Sequence, residues 1–200
     1  MDSTIILTPD TWRATGPLST LATTGRPVEV DLGCGKGRFL AARARANPAV
    51  QFIGIDRSLV RLRKVEKKAG RLESPNILLL HAETSRAVEE LFPAASITTF
   101  YIFFPDPWPK RRHHRRRTVT GRFLAILYER LIPGGILHVA TDHGDYFREI
   151  TKLVYPDTRW EEIPAPELPE EERTDFELTF RNLNQPIYRY SCRKRFPVPV

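Results

Sequence analysis

Short, almost uninterrupted apolar runs recur along the chain, separated by longer stretches in which apolar residues return every three or four positions. The short runs are "VEVDL" (28–32), "QFIGID" (51–56), "NILLL" (76–80), "ITTFYIFF" (97–104) and "GILHVA" (135–140). A run that is apolar at nearly every position leaves no face for water, as expected of a parallel strand covered on both sides. The stretches between them predict helices over residues 37–46, 58–72, 85–91 and 122–131, with one more after Asp142. Breakers mark their ends at Asn47-Pro48, Pro75 and Pro133-Gly134, and Thr120 offers a cap to the fourth helix.

Strand–helix alternation repeated this often predicts an α/β fold with a doubly wound, mostly parallel, Rossmann-like sheet. Right-handed crossovers then place the ligand crevice at the carboxyl ends of the strands. After Tyr155 the pattern changes. "EEIPAPELPEEER" (161–173) reads as an acidic, Pro-rich surface loop, while "FELTF" and "PIYRYSCR" read as further strands, an antiparallel pair at the C-terminal sheet edge. No internal repeat interrupts the scheme, so residues 28–200 are expected to form one domain behind an N-terminal segment, 1–27, that stands apart from it.

Composition sharpens this picture at three points. A chain of 200 residues that is 41% hydrophobic and 28% charged suits one soluble domain. Its net charge is +7, and six Lys or Arg lie in residues 110–117 with no acid among them; without that segment the balance falls to +1. Charge concentrated in this way points to a polyanion, nucleic acid above all. The two cysteines, Cys34 and Cys192, show no CxxC or Cys/His spacing, which argues against a disulfide scaffold or a bound metal and fits a reducing cytoplasm. No signal pattern and no apolar run near the ~20 residues of a membrane span is present, so a cytoplasmic location and no membrane partner are expected.

Two motifs carry chemistry. "VDLGCGKG" puts Gly33, Gly35 and Gly37 directly after the first predicted strand, where glycine permits a tight turn and close approach of backbone to a ligand. Asp31 precedes the loop, and Asp56, 25 residues later, ends the second strand, where a carboxylate can accept from both hydroxyls of a ribose. Together they predict an adenosine-type cofactor. Lys36 lies outside any Walker A motif, and Cys34 reads as a small loop residue. A glycine turn beside a surface acid is the plain alternative, and the strand-end placement weighs against it. The second motif is "FPDPWPKRRHHRRR". Prolines on both sides of Asp106 fix the backbone and remove competing donors, so that one acceptor-only carboxylate is presented beside the flat face of Trp108. Nucleobase recognition needs such an edge acceptor and a stacking surface. The basic run that follows suits backbone phosphates better than a localisation signal, because it abuts this turn inside a domain.

These residues resemble the bacterial tRNA (guanine-N7)-methyltransferase family, which modifies a guanosine of the tRNA variable loop. The likeness runs from about Val28 to Arg195. It rests on "FPDPWPKRRHHRRR", on "TDHGDY" (141–146), which is similar to a Thr-Asp-x-x-x-Tyr element, and on "TDFE" (174–177), which is similar to a Thr-x-Phe-Glu element. The resemblance implies a class I fold, S-adenosylmethionine as cofactor, tRNA as partner, and the activity of a tRNA (guanine(46)-N(7))-methyltransferase. It places Asp31, Gly33, Gly35, Asp56, Glu83 and Asp106 around the cofactor, with Asp106 also catalytic. Lys110, Asp142, Thr174, Asp175, Phe176 and Glu177 fall at substrate positions, and Arg112, His113, His114, Arg115, Arg116 and Arg117 against the RNA. Asp31 stands where Glu is common and Glu83 where Asp is common, so a carboxylate is kept in both. No metal and no obligate protein partner is implied, and a monomer or homodimer is expected. Competing readings are methylation of another RNA or of an exocyclic base amine, and a non-catalytic RNA-binding protein on the same frame. A nicotinamide dehydrogenase would leave the basic run unexplained.

Overall fold

The computed structural model describes residues 5–9, 11, 18 and 25–196. Eight strands form one sheet: β1 (Ile5–Leu7), β2 (Val28–Leu32), β3 (Gln51–Asp56), β4 (Ile77–His81), β5 (Ile97–Phe103), β6 (Leu131–Thr141), β7 (Trp160–Ile163) and β8 (Tyr188–Lys194). Their spatial order is β1-β4-β3-β2-β5-β6-β8-β7. The first six pair in parallel, and β8 runs antiparallel between β6 and β7. The doubly wound sheet with an antiparallel C-terminal edge is therefore as the patterning predicts. Strand order reverses between β2 and β5, and this switch point opens the crevice at the carboxyl ends.

Among the described residues after β2, six α-helices lie against the sheet: α1 (Arg38–Ala46), α2 (Leu59–Arg71), α3 (Thr84–Leu91), α4 (Gly121–Arg130), α5 (Gly144–Val154) and α6 (Asp175–Asn182). Alternate residues of each strand feed opposite faces, as the two-residue strand period requires. Ile53, Ile55 and Leu80 join α3, α4 and α5 on one face, while Phe52, Ile77 and Leu79 join α1 and α2 on the other. Thr120 caps α4 as expected, its hydroxyl accepting from the Phe123 N–H at 3.2 Å.

The C-terminal third departs from the sequence reading in two places. "FELTF" lies in helix α6 instead of a strand. Thr174 caps it by accepting from the Glu177 N–H at 3.0 Å, and Thr-x-x-Glu is a helix-start signal that the apolar alternation of Phe176, Leu178 and Phe180 concealed. The partner of β8 is β7, Trp160–Ile163, at the head of the expected loop. Ile5–Leu7 joins the opposite edge, pairing with Leu78–Leu80 of β4, so part of the N-terminal segment belongs to the sheet.

Candidate active site

The glycine loop leaves β2 through a series of left-handed residues. Gly33 has φ 89° with nothing within 4 Å of where a side chain would begin, leaving room for a close ligand. Gly37 has φ 67°, and a Cβ there would meet Val65 of α2 at 2.6 Å, so α1 packs against α2 only through glycine. Asp56 sits on the other side of this loop, 4% exposed. Its carboxylate accepts from the N–H groups of Gly35 (3.0 Å) and Ser58 (2.8 Å) and lies 3.7 Å from Arg61. Asp56 thus shapes the glycine turn in addition to the ligand role expected of it.

Asp31 is 5% exposed, and among the described residues no hydrogen bond or ion pair reaches its carboxylate. Burial, and then the negative charge of Asp56, push its pKa from 3.8 up to about 7. Glu83 lies at the rim, where it caps α3. One carboxylate oxygen accepts from the Ser85 N–H (3.1 Å), the other from the Arg86 N–H (2.9 Å) and the Ser85 hydroxyl (2.7 Å). Partial burial acts to raise its pKa, but these donors, with Arg57, outweigh burial and hold it below the usual range.

At the end of β5 the backbone is strained on both sides of the Pro-Asp-Pro stretch. Phe104 (φ 52°) and Trp108 (φ 44°) are non-glycine residues in the left-handed region. Phe104 is held there by its N–H, which donates to the Ala140 carbonyl at 2.7 Å. The turn between them thrusts the Asp106 side chain out, 71% exposed, with the equally exposed Arg57 3.8 Å away. Arg57 was not foreseen from the sequence; its signal was position, one residue past the strand-end acid.

The basic run folds into a short 3-10 helix, Arg111–Arg116, and its residues divide into two groups. Arg112, Arg115 and Arg116 are exposed, with Arg116 over the Trp108 ring at 4.9 Å. His113 stands edge-on to the same ring, and His114 lies 3.4 Å from Glu149 of α5. Arg117 differs from its neighbours in the run: it is 5% exposed and turned inward. Its guanidinium donates to the Pro107 carbonyl (2.7 Å) and to the Glu149 carboxylate, and lies over Tyr146. Lys110, exposed, precedes this helix, and its carbonyl accepts from the His113 N–H at 2.7 Å. Arg117 therefore ties the Pro-Asp-Pro-Trp turn to Tyr146, joining two motifs that are far apart in sequence.

Thr174–Glu177 reaches the same end of the sheet through the aromatic contacts of α6. Phe180 and Phe176 pack at 5.5 and 6.4 Å, ring to ring, from Phe104. Phe176 and Asp175 stay exposed. Glu177 is 1% exposed and gathers Arg189 (2.5 Å), Arg181 (2.9 Å) and Arg173 (3.7 Å), so it acts on its surroundings through three arginines. Asp142, just past β6, takes part in no hydrogen bond or ion pair among the described residues; His143 caps α5 instead, accepting from the Tyr146 N–H at 3.3 Å. Among the described residues no group of His, Cys, Asp or Glu could hold a metal, and no helix is long and apolar enough to cross a membrane.

A switch-point crevice with a glycine loop, two buried acids and a projecting carboxylate defines a Rossmann-like frame of the methyltransferase type. The chain belongs to the family described as "Putative methyltransferase", whose model matches residues 25–190. Among curated proteins it is 39% identical over 145 residues to the tRNA (guanine-N(7)-)-methyltransferase of Mycolicibacterium gilvum, covering 69% of this chain and 55% of that protein. It is 42% identical over 139 residues to the enzyme of the same name from Nocardia farcinica, covering 68% and 52%. The chain thus spans little more than half the length of these relatives. In three dimensions it is similar to the 16S rRNA methyltransferase KamB, with a TM-score of 0.65 and 19% identity over 89% of this chain and 92% of that one. It also matches a structure described as an antibiotic-related methyltransferase, with a TM-score of 0.62, 16% identity and 98% coverage of both chains. These structural likenesses show the fold.

Proposed function

We propose that this chain transfers a methyl group from S-adenosylmethionine to N7 of a guanosine in the variable loop of tRNA, as a tRNA (guanine(46)-N(7))-methyltransferase. In this reading it works in the cytoplasm as a monomer or homodimer without an obligate protein partner. The observation that carries the reading is Asp106: an exposed carboxylate projected from a doubly strained turn at the strand-end crevice, between Trp108, Arg57 and the basic helix.

The cofactor fits residues already described. Asp31 is a nearly buried carboxylate lacking a donor, and a polar group in that position calls for a ligand to satisfy it. Asp56 and the open face of Gly33 complete a cradle for an adenosine moiety. S-adenosylmethionine supplies there a methyl on a positive sulfur, for which guanine N7 offers an in-plane lone pair and has no proton to lose. The protein's task is then placement, which can supply roughly 7–11 kcal/mol in favourable cases. Asp106, with Asp142 beside it in function, accepts hydrogen bonds from the guanine N1–H and amino group, and its negative charge stabilises the cationic base as it forms. Adenine presents a bare N1 acceptor on that edge and is rejected by the unpaired carboxylate. Glu177 aligns Arg173, Arg181 and Arg189 beneath Thr174–Phe176, and Arg117 holds the turn rigid.

The test is methyl transfer from labelled S-adenosylmethionine to unmodified tRNA transcripts, followed by nucleoside analysis. We expect 7-methylguanosine, with kcat/KM lowered at least ~100-fold in Asp106→Asn while cofactor affinity is largely kept. Full activity in Asp106→Asn would remove the base-edge role, and label in any other nucleoside would replace guanine N7 as the target.

A further inference from the structure

A second basic surface lies apart from the turn and its 3-10 helix. Helix α2 carries Arg61, Arg63, Lys64, Lys67, Lys68 and Arg71 against one acid, Glu66, for a net charge of +5 in 13 residues. With the +6 of residues 110–117, these two segments exceed the net +7 of the whole chain, so the remainder is acidic. Leu62, Val65 and Ala69 of α2 are buried in the core, while Val60, near its start, is 66% exposed. At 100° per residue Arg63, Lys64, Lys67 and Arg71 fall on the opposite arc, with Arg61 and Lys68 at its flank. Arg63, Lys64, Lys67 and Arg71 are exposed, and their side chains make no hydrogen bond or ion pair among the described residues.

A solvated helix face ordinarily alternates acids with bases, because opposite charges at i,i+4 stabilise and like charges repel. Here 63/67, 64/68 and 67/71 are all like-charge i,i+4 pairs. The arrangement costs helix stability unless a polyanion neutralises it. The surface is also continuous in two directions. At its start, Arg57 reaches Asp106 and Arg61 reaches Asp56, so the helix begins at the crevice and runs ~20 Å away from it. Along its side lies a cavity of about 490 Å³ to which Arg38, Arg45 and Lys68 contribute, with Glu171 as the acid.

We propose that the outer face of α2, with Arg38 and Arg45, is a docking surface for the phosphate backbone of a structured RNA. It holds the body of the substrate outside the target loop, while residues 110–116 hold the loop itself. The inference rests on the tRNA reading above and extends it to a separate face. Charge complementarity favours RNA over a lipid surface, because Val60 is the one large apolar side chain exposed on α2, too little to insert into a membrane, while Leu62, Val65 and Ala69 are committed to the core.

The experiment compares the full chain with a variant carrying Arg63→Gln, Lys64→Gln, Lys67→Gln and Arg71→Gln. Affinity for an unmodified tRNA transcript is measured over a salt series, together with the melting temperature and methyl transfer at saturating RNA. Four lost contacts should make the log–log salt slope shallower by about 3, raise KM for tRNA and leave kcat unchanged. A double variant, Lys64→Gln with Lys67→Gln, should show about half that change in slope. An unchanged slope in both variants overturns the proposal, and so does a loss seen only on phosphatidylserine vesicles, which would assign the face to membranes. Because the slope is a binding measurement, it remains informative if no methyl transfer is found, an outcome that would sink the tRNA-methylation reading alone.

Discussion

At Asp31 two demands conflict: the carboxylate is buried next to Asp56, and no donor or cation among the described residues compensates it. The folded chain therefore keeps a proton between about pH 4 and 7 that the unfolded chain has released. Stability contributed at this site falls as pH rises through that window and stays low above it. His138 acts in the opposite sense. Burial, then the charges of Arg43 and Arg189, lower its pKa to about 4, so its contribution rises with pH up to the ordinary imidazole range. The two trends partly cancel in the wild type, and a comparison with Asp31→Asn isolates the first. The Asn variant should gain on the wild type as pH goes from 5 to 8, by at most ~3 kcal/mol, while losing affinity for S-adenosylmethionine. Thermal melts of both proteins across that range would show it, and a difference in melting temperature that does not vary with pH would remove the linkage. Stability given up at this residue is the cost of a site that awaits a cation or a hydrogen-bond donor.

Between elements, the decisive link is Arg117, which joins the turn after β5 to α5 through Pro107, Glu149 and Tyr146. Arg115, two residues earlier, is exposed and, among the described residues, pairs with no acid. The two should fail differently. Arg117→Gln loses charge-assisted hydrogen bonds of roughly 1–3 kcal/mol, loosens the strained turn, and lowers kcat along with the melting temperature. Arg115→Gln should weaken tRNA binding and leave kcat and stability in place. Single-turnover kinetics at saturating RNA separate the cases, and equal losses of kcat in both would contradict the division of the basic run. This is also where reading from sequence stopped. The strand ends, the glycine loop and the turn were legible because each is a local pattern, an apolar run closed by punctuation. Which arginine of five points inward was not, since that depends on Tyr146 and Glu149, roughly thirty residues away along the chain. The same limit hid Arg189 beside Glu177, whereas Arg173 and Arg181, four residues to either side, become neighbours once the segment is read as a helix. In α6 a local signal did exist, Thr174 three residues before Glu177, but the alternating apolar residues suggested a strand period, and docking onto Phe104 settled the helix.

At the scale of the whole molecule, the sheet must close its two edges against pairing with other chains. The C-terminal edge, β7, carries Glu161 and Glu162, and charge discourages such pairing. The strand that would form the other edge, β4, is nearly all apolar, "ILLLH", and it is covered by Ile5–Leu7 in parallel register. Ile6 packs toward the α1–α2 face and Leu7 toward the other, so this three-residue strand bridges both layers of the core. We infer that the folded unit begins before residue 28, with β1 as part of it. Ile6→Asp places a charge in that seam without touching the crevice. Its cost of ~2 kcal/mol should lower the melting temperature by roughly 4–8 °C for a chain of this size. With β4 exposed as an edge, the variant should also associate on warming, seen by light scattering, while kcat of the folded fraction stays unchanged. A melting temperature equal to that of the wild type would restore the boundary at residue 28 and leave β4 as a true edge whose protection must come from elsewhere.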